Sequence, residues 1–104
     1  MPTNEQLYDE ADRLKDEGKL EEAVAKLNEL AAQDPNYALA HSALAVVLGR
    51  LKRHDEAVQH GLKACELEPN DPFSFTAMSV TFQRAGKIPE AEDAMAKART
   101  MQGH

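Results

Sequence analysis

The sequence predicts an all-α protein, a solenoid of three stacked helix–turn–helix hairpins with about six helices. Three observations carry that prediction. Similar residues return every 34 positions, and within each interval the apolar residues recur at spacings of three and four, as an amphipathic helix requires. Turn-forming residues fall between the apolar runs rather than inside them.

The repetition is read from three stretches. "GKLEEAVAKL" begins at Gly18, "KRHDEAVQHG" at Lys52 and "GKIPEAEDAM" at Gly86, and each places an Ala after a Glu, at Ala23, Ala57 and Ala91. Aligned from Asn4, Ala38 and Pro72, the units also match at Ala11, Ala45 and Ser79, and at Leu14, Leu48 and Phe82. The expected organisation is one domain over residues 1–104, with repeats at 4–37, 38–71 and 72–104.

Each helix has its own start or stop signal. Thr3 and Gln6 have the spacing of a capping box at the first start. Glu21 and Glu22 open the second helix, where negative charge favours the helix dipole. "DPN" at 34–36 closes the first hairpin, "KRH" at 52–54 turns the second, and "EPND" at 68–71 ends it. Asp71-Pro72 supplies a capping acceptor and a first-turn Pro whose missing N–H costs nothing. Pro89 falls in the first turn of the sixth helix and is tolerated there. Helices of about fourteen residues result. Small residues at the Ala11/Ala45/Ser79 and Ala23/Ala57/Ala91 positions let paired helices approach closely. One hairpin cannot bury its apolar face alone, so three stack.

These residues resemble the tetratricopeptide repeat family over residues 4–103. The small–large pattern, the Gly at the turn, the Ala of "EEA", "DEA" and "PEA", and the closing Pro35 and Pro69 carry the resemblance. Leu7, His41 and Phe75 stand where the family has Trp, Glu10 replaces an apolar residue, and Leu30 replaces Ala. The resemblance implies a right-handed solenoid whose first helices line a concave groove. By the same resemblance, Glu5, Tyr8, Asp12, Lys15 and Asp16 of repeat one point into that groove. Leu39, Ser42, Val46, Gly49 and Arg50 do so in repeat two, and Phe73, Thr76, Val80, Gln83 and Arg84 in repeat three.

The expected function is a non-enzymatic adaptor or scaffold that binds a peptide or helical segment of a partner protein in this groove. Leu39, Val46, Phe73 and Val80 would lie side by side as apolar anchors, Gly49 would open space among them, and Arg50 and Arg84 would meet a carboxylate. Family members that hold the acidic C-termini of heat-shock chaperones use a Lys and Asn clamp. Tyr8, Asp12 and Val46 occupy the matching places, so that use is not expected. The alternative is a self-assembling scaffold in which the exposed ends or the groove bind another copy, and the expected state is a monomer or weak self-association. Met95 and Met101 near the last face could mediate the latter, though exposed apolar residues more often simply face solvent. Glu92 and Arg99 replace the apolar residues seen at Val24, Val58, Ala31 and Cys65 and speak against end-to-end stacking.

Charge narrows the partner further. Repeats one, two and three carry net charges of −6, −1 and +1. The acidic first repeat argues against nucleic acid and anionic membrane. No apolar run reaches the length of a membrane span, and the N-terminal residues lack the character of a secretory signal, so the expected compartment is cytoplasmic. The lone Cys65 precludes an intrachain disulfide and takes a packing position.

No cofactor or metal is expected. His41 takes a packing position, His54 lies at a turn, His60 faces Ala64 one turn on, and His104 ends the chain; their spacing converges on no ligand set. "RAGKIPE" lacks the first Gly and the following Ser/Thr of a phosphate loop. No Ser is framed by Gly as an activated nucleophile would be.

Overall fold

The computed structural model describes residues 1–103, and His104 lies outside them. Six helices follow one another: α1 Asn4–Asp16, α2 Leu20–Gln33, α3 Ala38–Arg50, α4 His54–Leu67, α5 Pro72–Arg84 and α6 Ile88–Gln102. First helices begin at residues 4, 38 and 72 and second helices at 20, 54 and 88, so the 34-residue period is kept by both members of every hairpin. No strand occurs among the described residues.

Local chemistry sets the starts. Thr3 Oγ1 accepts from the Gln6 N–H at 3.1 Å, and Gln6 Oε1 accepts from the Thr3 N–H at 2.9 Å, closing the capping box. Asp71 Oδ1 accepts from the Phe73 N–H at 2.9 Å, with Pro72 as the first residue of α5. Pro89 lies in the first turn of α6.

The turn inside each hairpin is the same device three times. Lys19 N–H donates to Leu14 O at 2.8 Å, Arg53 N–H to Leu48 O at 2.9 Å, and Lys87 N–H to Phe82 O at 2.8 Å. This six-to-one bond satisfies a carbonyl that the ending helix would leave unpaired, and it needs a left-handed residue just before the donor. Gly18 and Gly86 fill that place at φ 81° and 79°, but Lys52 fills it at φ 64°. A side chain there carries a steric penalty that Gly escapes. Lys52→Gly is therefore expected to raise stability by about 0.5–1 kcal/mol, a few degrees in Tm, partly offset by the freer unfolded chain. A thermal melt at matched pH checks it, and an unchanged or lower midpoint would show that the Lys side chain has an offsetting contact.

Packing runs mainly within hairpins and between each second helix and the next first helix, with a further contact between α3 and α5. A core cluster spans α1 to α4, formed by Ala11, Leu14, Ala23, Val24, Leu27, Leu44, Val47, Leu48 and Ala57. Leu27, Leu44 and Leu48 are almost fully enclosed, and each contributes about 1.5–3 kcal/mol relative to exposure. Ala23, Ala57 and Ala91 are at most 1% exposed, which places the close helix approaches at the alanines of the motif. Cys65, Met78 and Ala94 form a smaller cluster under α4 to α6, flanked by Val58, Phe75 and Phe82. The Cys65 thiol donates to Ser74 O at 3.5 Å, and burial pushes its pKa up, which keeps it a protonated packing group. Glu92 and Arg99 remain exposed on α6, while Met95 and Met101 are partly covered.

Candidate functional site

The first helices bring part of the expected groove together around one cavity of about 180 Å³. Tyr8, Ala11, Asp12 and Lys15 from α1 form one side, Ser42, Ala43, Val46 and Val47 from α3 the other, with Leu27 and Ala77 beneath and beyond. Its depth comes from small side chains at corresponding turns of neighbouring helices. Ala43 and Ala77 occupy the sixth place of repeats two and three, and they escaped the sequence-derived set. The signal was present as an Ala in register in two units.

Five of the fifteen groove candidates line this cavity: Tyr8, Asp12, Lys15, Ser42 and Val46. Tyr8 stacks on Tyr37 with ring centroids 6.4 Å apart, which fixes the angle of the ring toward the opening. Burial, then the neighbouring Asp12 charge, raises the Tyr8 pKa, so its hydroxyl stays a neutral donor. Lys15 Nζ lies 3.0 Å from Asp12 Oδ1 and 4.0 Å from Asp16 Oδ1, so the acidic edge of repeat one is partly neutralised from within.

The other candidates lie outside the cavity. Leu39, Phe73 and Val80, together with Val46 at the cavity wall, are the large apolar side chains that α3 and α5 leave in solvent, with Phe73 the most exposed at 73%. The Thr76 hydroxyl is turned back to Pro72 O at 3.1 Å. Gln83, Arg50 and Arg84 are exposed, and neither Arg forms an ion pair among the described residues.

Gly49 differs from expectation. It is buried, and a Cβ there would meet Arg84 Cδ at 3.4 Å. Rather than opening space, Gly49 is the bed on which the apolar stem of Arg84 lies. A long cationic side chain covers backbone in this way while its guanidinium stays in water.

This architecture matches known proteins. A tetratricopeptide repeat family model covers residues 8–72. The chain belongs to that family. Among solved structures, the crystal structure of MamA superposes with a TM-score of 0.88 at 20% identity, over 97% of this chain and 59% of that one. The type III secretion translocator chaperone SycD of Yersinia enterocolitica, in an alternative dimer, gives 0.89 at 20% identity over 98% of this chain and 77% of its own. The second tetratricopeptide domain of Spaghetti (RPAP3), bound to the HSP90 peptide SRMEEVD, gives 0.85 at 20% identity, over 94% of this chain and 91% of that one. At such identity the likeness is one of fold. This chain spans about three fifths of the MamA chain. Among curated proteins no sequence matches. No helix among the described residues is long and apolar enough to cross a membrane.

The histidines also depart from expectation. His41 and His60, far apart in sequence, face each other with Nδ1 atoms 3.0 Å apart. His60 also has Glu56 one turn before it, a neighbour that the reading toward Ala64 overlooked. Spacing along one helix could not reveal a pair made across α3 and α4. No group of three or more His, Cys, Asp or Glu side chains converges among the described residues.

Proposed function

We infer that this tetratricopeptide protein is a non-enzymatic adaptor whose concave groove binds an apolar peptide or helical segment of a partner protein. The observation that carries this reading is the juxtaposition of the α1–α3 cavity with four exposed apolar side chains on α3 and α5. Water leaves such a surface favourably when an apolar segment covers it, and a few well-enclosed anchors then supply most of the affinity.

Charge would set the direction of the bound segment. Asp12 and Asp16 lie toward the end of α1, Arg50 at the end of α3 and Arg84 at the end of α5. A segment crossing these helices would pair basic residues with repeat one and acidic residues with repeats two and three. The similarity to proteins that hold a peptide or a partner supports the general role. Asp12 at the cavity rim disfavours a chain-terminal carboxylate at that place.

Val46→Glu and Phe73→Glu test the groove. Both side chains are exposed, so stability is expected to change by no more than about 0.5 kcal/mol. Partner affinity is expected to fall at least about tenfold for each, as a buried charge replaces an apolar anchor. Retention of the same captured partners by the folded double variant would overturn the groove assignment. Sedimentation over a concentration series addresses the self-assembly alternative, which requires a mass that rises with concentration.

A further inference from the structure

We propose that His41 and His60 form a proton-operated latch tying the α2–α3 turn, through α3, to α4. His41 Nε2 lies 2.9 Å from the Pro35 carbonyl oxygen, and its Nδ1 lies 3.0 Å from His60 Nδ1. The rings stack with centroids 5.3 Å apart and planes inclined by 24°. These contacts assign the protons. A carbonyl only accepts, so His41 carries its proton on Nε2 and donates to Pro35 O. Neutral His41 then has a bare Nδ1, and His60 must donate its own Nδ1–H to it.

This arrangement tolerates one added proton and not two. A proton taken up at His60 Nε2 leaves both hydrogen bonds in place. A proton at His41 Nδ1 sets two N–H groups head to head and two cations at contact distance, so the His60–His41 bond breaks. The second hairpin then loses this tie between α3 and α4, while His41 Nε2–H still donates to Pro35 O. The charged groups whose fields reach His60 are His41 from α3 and Glu56 from α4; no charged side chain of α2, α5 or the α2–α3 turn adds to them. Glu56 is itself held by Arg53, at 2.9 Å from both Nε and Nη2, so its charge is shared before it reaches His60.

The pH range follows from the direction of these effects. Burial first, and the His41 charge second, lower the His60 pKa below its ordinary value, with Glu56 opposing them. The unfolded chain therefore takes up a proton at higher pH than the folded one. The stability given by neutral His60 is complete above about 6.5 and is lost as pH falls through that value toward its lower folded-state pKa; the His60–His41 bond itself yields only to the second proton.

The test is a set of melts at pH 7.5 and 5.0 on the wild type and His60→Gln. The Gln amide can offer His41 Nδ1 either a donor or an acceptor, so it removes the conflict without removing the contact. The wild type is expected to lose on the order of 5 °C more than His60→Gln over this interval. Equal losses would overturn the latch. Nitrogen-15 NMR of the wild-type imidazoles reads the same proposal without a variant. At pH 8 His41 is expected as the Nε2–H tautomer and His60 as the Nδ1–H tautomer, with His60 taking up its proton below the ordinary imidazole value on acidification. Identical tautomers, or a His60 that titrates at the ordinary value, would also overturn it.

Discussion

Replacing Ala57 by Leu is expected to destabilise the protein by about 3 kcal/mol, a fall of roughly 12–24 °C in Tm. Ala57 has no exposed surface and belongs to the core shared by α1 to α4. Its methyl group stands where α4 packs within its hairpin, and neighbouring elements enclose it. Three more carbon atoms would have to be accommodated by moving a helix, since an interior packed to crystal density yields little. Ala25→Leu is the matched control. Ala25 lies on the exposed face of α2, and the same substitution there is expected to change stability by no more than about 0.5 kcal/mol. Melting curves of the two variants decide the matter. Equal midpoints would mean that the hairpins are not held together through their small residues.

Replacing Leu48 by Ala is expected to cost about 3 kcal/mol by the opposite route. Leu48 is 1% exposed and sits in the same core cluster as Ala57. Shortening it loses transfer free energy and leaves a cavity whose walls, on α1 to α4, are each anchored by other contacts. Combining it with Ala57→Leu restores the total volume of the cluster. The double variant is therefore expected to be more stable than the sum of the two separate losses implies, by at least about 0.5 kcal/mol. Strict additivity in urea denaturation would indicate that the two positions do not share packing space.

How far the residues foretold this molecule differs by feature. Helix starts at Thr3 and Asp71 were readable because a capping side chain and its target N–H are local. The buried alanines were readable because a close helix approach excludes larger residues in every unit. Gly49 was misread. Its lack of a side chain was visible, but the Arg84 stem that lies over it comes from another repeat. The His41–His60 couple was invisible for the same reason, since it joins side chains 19 positions apart on different helices. Ala43 and Ala77 show an intermediate case, an in-register pattern whose meaning as cavity wall depends on what stands opposite.

By itself the sequence determined the number, length and pairing of the helices, and the fact that hairpins must stack. Those properties follow from apolar spacing, turn residues and the exclusion of bulk at repeated positions, all of which act within one or two repeats. Only the tertiary structure decided that the cavity opens between α1 and α3, that Arg84 is laid across Gly49, and that two imidazoles meet through their Nδ1 atoms. Each of these depends on the angle and distance at which whole helices meet, and no local spacing encodes that geometry.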